Sequence, residues 1–138
     1  MEQPSRGGEE HRKNKRMLTA VTVLYTIRAP FPVRIRFGNS DCSAIAQDIG
    51  ERGMGLLTNH DLPVDSLLAL KFTILNDFAF KKEDKRRTFE LDAQVRNCLL
   101  VEKTTYRLGV CFVSISESNR AYIANFVKTN ALISNPNA

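Results

Sequence analysis

The chain has 138 residues, of which 43% are hydrophobic and 25% are charged, values typical of a single globular domain with one core. No apolar run approaches the roughly 20 residues that a membrane-spanning helix needs, and the polar N-terminus lacks the apolar stretch of a secretory signal, so we expect a cytoplasmic protein without a membrane span. The net charge of +5 favours anionic partners, although acidic residues are interspersed among the basic ones.

The N-terminal segment is polar and basic. Residues 1–16 carry no aliphatic side chain after Met1, so they cannot contribute to a core, and we expect residues 1–17 to be a flexible segment. Arg12 and Arg16 are four residues apart within it. Two guanidinium groups at this spacing could each bind a phosphate or stack on a base. The pair alone is a weak indication, because about one such pair is expected by chance in a chain with this many arginines.

Strand-like segments follow one another from Leu18 onward. Alternating and β-branched residues predict strands in seven stretches, which are LTAVTVLYTI, VRIRF after Pro30 and Pro32, CSAIAQDI, MGLLT, SLLALKFTIL, TFELDAQVRNCLLVE and TTYRLGVCFVSI. The last two are expected to pair through a turn near Glu102. So many short strands favour a small closed or nearly closed antiparallel barrel over residues 18–116, because closure removes exposed strand edges.

The last element has a helical pattern. Ser116 is predicted to cap the N-terminus of a helix, with Glu117 in its first turn. Apolar residues then recur at helical spacing, namely Tyr122, Ile123, Phe126 and Val127. We expect a helix over residues 117–132, with its apolar face packed on the sheet or at one end of the barrel.

The residue patterns of an enzyme or a metal site are missing. Cys42, Cys98 and Cys111 match no zinc or redox spacing and are interpreted as reduced thiols. No Cys/His or Ser/His/Asp arrangement indicates a nucleophile, so we expect no enzymatic activity, cofactor or metal. The densest basic run, Lys81–Arg87, is interpreted as the solvated tip of a hairpin in preference to a binding patch.

Three glycines lie close together in QDIGERGMGLLT, at Gly50, Gly53 and Gly55. A phosphate-binding loop of the Walker or dinucleotide type needs a helix after its glycines, whereas a strand-like stretch follows here. The segment is then either a plain turn between strands with Gly53 at positive φ, or a turn that also contacts a ligand. Asp48 supports the second possibility, because its two oxygens can accept parallel hydrogen bonds from N1 and N2 of a guanine.

Together these features resemble a PilZ domain, the bacterial receptor module for cyclic di-GMP. The segment from Arg12 to Arg16 matches that family's Arg-x-x-x-Arg motif. The segment from Asp48 to Gly53 matches its Asp/Asn-x-Ser-x-x-Gly motif except at Gly50, where the family usually has serine. YRLGVCFVSI followed by a helix resembles the family's last strand and C-terminal helix, so the resemblance covers about residues 10–130.

This resemblance implies an all-β fold with a C-terminal helix, namely a six-stranded antiparallel β-barrel, one strand fewer than the seven stretches above. It also implies a ligand held between the barrel and the N-terminal segment. Arg12 and Arg16 would bind phosphates and guanine faces, Asp48 would read a guanine edge, and Gly53 would permit the turn. Gly50 would lack the serine hydroxyl contact. The implied function is a cyclic di-GMP-binding effector that signals in trans to an unidentified protein target.

Two other functions remain open. Gly50 in place of serine allows a degenerate PilZ-like interaction module that does not bind nucleotide. The positive charge, with Tyr25, Phe31 and Phe37, allows a small barrel that binds nucleic acid. The sequence lacks the interleaved aromatic and basic residues of such a surface, so nucleic acid is the less favoured partner.

Overall fold

The computed structural model describes residues 16–38 and 40–134, and the side chains of residues 20–38 and 40–130. The N-terminal segment predicted to be flexible lies outside the described residues except for Arg16 and Met17, which begin the first strand. In chain order the elements are β1 (Arg16–Ala29), α1 (Phe31–Phe37), β2 (Cys42–Gly50), β3 (Gly53–Thr58), β4 (Leu67–Leu75), β5 (Arg86–Glu102), β6 (Thr105–Ser114) and α2 (Glu117–Ser134).

The strands form a closed barrel in the order β1-β2-β3-β6-β5-β4, and each neighbouring pair is antiparallel. Alternate side chains point inward because successive Cβ atoms of a strand lie on opposite faces. On β1 these are Val23, Tyr25 and Ile27, all buried. Inside the barrel, the rings of Phe72 and Phe89, which are paired on the adjacent strands β4 and β5, stack with their centroids 4.9 Å apart. The expected six-stranded antiparallel barrel with a C-terminal helix is confirmed.

The strand predicted at VRIRF is wrong, because these residues belong to helix α1. The carbonyl oxygen of Pro30 accepts hydrogen bonds from the backbone N–H of Val33 at 3.1 Å and of Arg34 at 3.0 Å, which closes the first turn. Proline is tolerated in that first turn because its missing N–H has no helical partner to lose. Val33 is buried while Ile35, two residues further on, is 62% exposed. The alternation in the sequence therefore does not reflect a strand. Removing this predicted strand leaves the six strands of the barrel.

Helix α2 begins at the predicted cap. The backbone N–H of Asn119 donates to Ser116 Oγ at 3.1 Å, which satisfies one of the free donors at the helix N-terminus. The hydroxyl of Tyr122 donates to the carbonyl oxygen of Asp84 at 2.6 Å. The helix packs on the barrel through its buried residues, which are Tyr122, Ile123, Phe126 and Val127.

The basic run Lys81–Arg87 covers the end of the connection between β4 and β5 and the first two residues of β5. It contains a short 3-10 turn at Lys82–Asp84 with no buried residue, which agrees with a solvated tip. Arg87 differs from the rest of the run. Its guanidinium lies 4.5 Å from the centroid of the Tyr122 ring and donates to the carbonyl oxygen of Ser118 at 3.2 Å, so it joins β5 to α2.

The three cysteines are free thiols and half-buried. Burial raises the pKa of the Cys42 and Cys98 thiols, which lowers their thiolate fraction at neutral pH. Within the described residues no group of three or more His, Cys, Asp or Glu side chains is placed to hold a metal ion. Neither helix of the described ranges combines the length and apolar character required to cross a membrane.

We expect Tyr25→Phe to change how stability depends on pH. The Tyr25 hydroxyl lies 2.9 Å from Thr58 Oγ1, and burial raises the pKa of Tyr25 from 10.0 to about 12. Because the folded pKa lies above the unfolded one, this group's contribution is complete below pH 10 and is lost as the pH rises towards 12. The variant should lose about 1 kcal/mol of unfolding free energy at neutral pH, the value of one hydrogen bond.

Urea unfolding at neutral pH and at several values above pH 10 measures this effect. The wild type should lose up to about 3 kcal/mol more than the variant across the window, since one pKa unit corresponds to about 1.4 kcal/mol. Tyr106→Phe, at a more exposed tyrosine, serves as the control. Parallel pH profiles for the wild type and Tyr25→Phe would contradict the prediction.

Candidate functional site

Strand pairing brings the two motif segments together. Arg16, the first residue of β1, pairs with Gly50 on β2. Gly50 pairs in turn with Gly53 on β3. The backbone of the second motif arginine therefore lies beside the segment that begins with Asp48. Arg12 lies outside the described residues, as does the side chain of Arg16.

A β-bulge on β2 turns Asp48 outward. The register between β2 and β3 shifts between Ala46 and Asp48, so Gln47 is an extra residue without a partner on β3. Ala46 and Ile49 are both completely buried in the core. The two residues between them consequently both face the outside of the barrel, which is the effect of a bulge on side-chain direction.

Arg107 of β6 contacts both outward side chains. Its Nη2 donates to Asp48 Oδ2 at 2.8 Å, and its Nε donates to Gln47 Oε1 at 3.2 Å. The side chains of Arg107 and Asp48 are 30% and 14% exposed, so this charge-assisted bond is better shielded from salt than a fully exposed pair. Asp48 therefore lies on the outer surface of the barrel, with its carboxylate oriented by a guanidinium.

Gly53 has a different structural role from the one predicted. Among the described glycines, the left-handed conformation occurs at Gly38, with φ 66°, and not at Gly53, so the expected positive φ there is wrong. A Cβ added to Gly53 would overlap the carbonyl oxygen of Val110 on β6. Glycine is thus required because the backbones of β3 and β6 approach closely.

Gly55 and Gly109 face each other across β3 and β6, and each leaves room for a neighbouring side chain. A Cβ on Gly55 would overlap the Arg107 guanidinium and lie 2.8 Å from Asp48 Oδ2. The N–H of Gly109 donates to Asn97 Oδ1 at 3.2 Å, and a Cβ there would lie 2.7 Å from the same oxygen. Gly55 therefore leaves space for Arg107 to reach Asp48, and Gly109 leaves space for Asn97.

This arrangement suits recognition more than bond-making. A carboxylate supplies paired acceptors, and a guanidinium supplies donors and positive charge. His60, the histidine of the described part, packs edge-on against Phe37 with ring centroids 4.9 Å apart. The described site therefore contains no histidine that could act as a base for a nucleophile.

The sequence patterns do not identify Gln47, Gly55 or Arg107 as site residues. Alternation in YRLGVCF does place Arg107 on the opposite face of β6 from the buried Leu108, and this signal indicates an outward side chain. Its partner could not be inferred, because β6 lies beside β3 and the two strands are not consecutive in the chain.

The family comparison gives one clear match. A sequence profile described as PilZ domain matches residues 10–129. This range contains both motif segments and every strand of the barrel. A comparison with curated protein sequences finds no match.

Solved structures share the fold at low sequence identity. MotI/DgrA, the inhibitor of motility of Bacillus subtilis, is 13% identical with a TM-score of 0.67, covering 89% of this chain and 52% of that chain. The PilZ domain of Escherichia coli YcgR with c-di-GMP is 18% identical, with a TM-score of 0.59 and coverages of 93% and 99%. The K. pneumonia MrkH–c-di-GMP complex is 14% identical, with a TM-score of 0.61 and coverages of 93% and 56%. The chain therefore spans about half the length of MotI/DgrA and of MrkH.

Replacing Gly53 by alanine should cost more stability than replacing Gly55. The new Cβ at Gly53 meets the backbone of Val110, which cannot move without β6, whereas at Gly55 it meets the far end of the Arg107 side chain, which can swing away. We expect the unfolding free energy to fall by about 3 kcal/mol for Gly53→Ala and by about 1 kcal/mol for Gly55→Ala. Urea unfolding of the two variants provides the comparison, and equal losses would refute the close-approach explanation.

Proposed function

The chain belongs to the PilZ domain family, and we propose that it is a cyclic di-GMP receptor that passes its signal in trans to a protein partner. The observation that carries this proposal is the strand register. It places Arg16, at the end of one motif, opposite Gly50 in the other, with Asp48 two residues away. The ligand-bound YcgR and MrkH structures share the fold, which supports the choice of ligand.

In this proposal Arg12 and Arg16 bind the phosphates and the guanine faces. A guanidinium suits both tasks, because its planar fork matches two phosphate oxygens and its flat face stacks on a base. Cyclic di-GMP is a compact dianion, so the net charge of +5 also favours its approach. The N-terminal segment would close over the bound dinucleotide.

Asp48 would read one guanine edge, with Arg107 as the residue that positions it. Each guanine offers two parallel donors, N1–H and N2–H, and a carboxylate offers two oxygens to match them. Arg107 holds one of these oxygens at 2.8 Å, so a guanine must share or displace that contact. Until then the guanidinium orients the carboxylate on the outer face of the barrel.

The output of this mechanism is a changed surface and not a chemical reaction. Ordering the N-terminal segment over the ligand would alter the face offered to a partner, and the free energy of binding sets how far the equilibrium can shift. The proposal includes no catalytic step and places the protein in the cytoplasm. The partner is a protein target whose identity is open.

Isothermal titration calorimetry with cyclic di-GMP tests the receptor function. We expect Arg12→Ala and Arg16→Ala each to weaken binding by about tenfold or more, because a hydrogen bond to a charged group contributes about 1.5–3 kcal/mol. Arg28→Ala is the matched control, since Arg28 is an exposed arginine paired with Asp92 at 3.1 Å. The absence of heat at micromolar protein, or an unchanged curve for the double arginine variant, would reject the proposal.

Gly50→Ser should tighten binding by up to about tenfold. The substitution restores the hydroxyl that the family motif usually supplies, and one neutral hydrogen bond contributes about 0.5–1.5 kcal/mol. The same titration measures the effect, with thermal unfolding as a check that the buried Gly50 site accepts the side chain. A folded variant with weaker binding would show that the serine contact is not the missing element.

A second candidate function is an interaction module that does not bind nucleotide. Two observations favour it. Gly50 replaces the usual serine, and the carboxylate of Asp48 already forms an ion pair with Arg107. In that case the wild-type protein gives no heat with cyclic di-GMP, and an Asp48→Ala variant still binds its protein partner normally.

A further inference from the structure

The outer part of β5 has a strand neighbour on one side only. β4 pairs with β5 from Arg86 to Gln94. In the loop before β4, the N–H of Asp65 donates to the carbonyl oxygen of Val95, and the carbonyl oxygen of Ser66 accepts from the N–H of Val95. From Arg96 to Glu102, the one described strand that pairs with β5 is β6. Within the described residues, no strand covers the backbone N–H and C=O groups on the other side of this stretch, which extends beyond the closed part of the barrel.

The open stretch is also apolar. Leu99 and Leu100 are each 60% exposed and Val101 is 51% exposed. Successive side chains of a strand point to opposite faces, so both faces of the stretch carry exposed aliphatic groups. An exposed apolar edge strand is a template for pairing with another strand, and proteins that leave one open commonly use it for association.

The sequence of this edge is complementary to itself. When two copies of RNCLLVE pair antiparallel about Leu99, Arg96 of one copy lies opposite Glu102 of the other, and this occurs twice by symmetry. Opposite charges directly across a strand pair stabilise it, and like charges destabilise it. Both side chains are exposed. Arg96 donates to the neighbouring Gln94 at 3.2 Å, and Glu102 makes no ion pair within the described residues, so both are available.

We propose that the chain forms a homodimer by antiparallel pairing of two copies of residues 96–102, with the two-fold axis at Leu99. A second copy fits this edge because the charges match in that register. An isologous contact of this kind closes on itself, so it consumes the open edge without propagating into fibres. The strand pair is short and buries little surface, so the dimer is expected to be weak and concentration-dependent. This inference is independent of nucleotide binding.

Analytical ultracentrifugation of the full chain from micromolar to submillimolar concentration tests the proposal. The wild type should show a reversible monomer–dimer equilibrium. Arg96→Glu places like charges opposite each other at both ends of the pair and should raise the dimer dissociation constant by about tenfold. Exchanging both charges, Arg96→Glu with Glu102→Arg, should restore wild-type dimerisation. Leu99→Lys should abolish it, whereas Ile35→Lys, at an equally exposed apolar residue of α1, should leave it unchanged.

The outcomes separate cleanly. A wild-type monomer at every concentration overturns the proposal, and so does a dimer that persists in Leu99→Lys, since the contact would then lie elsewhere. Weakening by Arg96→Glu without recovery in the double exchange overturns the register about Leu99. Circular dichroism of each variant confirms that the barrel is folded before the comparison.

Discussion

The contact between Arg107 and Asp48 depends on three strands lying side by side. β2 contributes the bulge that turns Gln47 and Asp48 outward, and β6 contributes the arginine. β3 lies between them and carries Gly55, whose missing side chain leaves the path of the guanidinium clear. The Arg107–Asp48 contact needs all three features, because a side chain at position 55 or an inward-facing carboxylate would separate the two charged groups. The candidate site is therefore a property of the pairing of β2, β3 and β6 and not of any single loop.

The motif glycines illustrate how one residue type can serve the fold while marking a ligand site. Gly53 is required by the close approach of the β3 and β6 backbones, where a Cβ would overlap the oxygen of Val110. Its presence would be explained even if no nucleotide bound. The proposal of a cyclic di-GMP receptor consequently depends on the charged residues of the two motifs, Arg12, Arg16 and Asp48.

Barrel closure does not give every strand a neighbour on both sides along its full length. β5 is longer than β4, so its outer part continues beyond the last paired residue, Gln94, and forms a hairpin with β6 alone. Leu99 on this hairpin pairs with Arg107, which is the residue that orients Asp48. The candidate ligand site and the open apolar edge are therefore carried by the same two strands, although the forces that act at each, charge pairing and strand addition, are different.

The local elements and the motif residues could be predicted from the amino-acid sequence alone. Alternation located six strands correctly, and the cap at Ser116 located α2, because both signals depend on neighbours within a few residues. The same local signal failed at Val33–Phe37, where residues four apart share a face in a helix as well as in a strand. Three features depend on the folded barrel and had no counterpart in the sequence patterns: β3 lies beside β6, a bulge turns Asp48 outward, and Arg107 contacts Asp48 there. Contacts between distant strands follow from how the whole barrel closes and packs, and no local pattern specifies that.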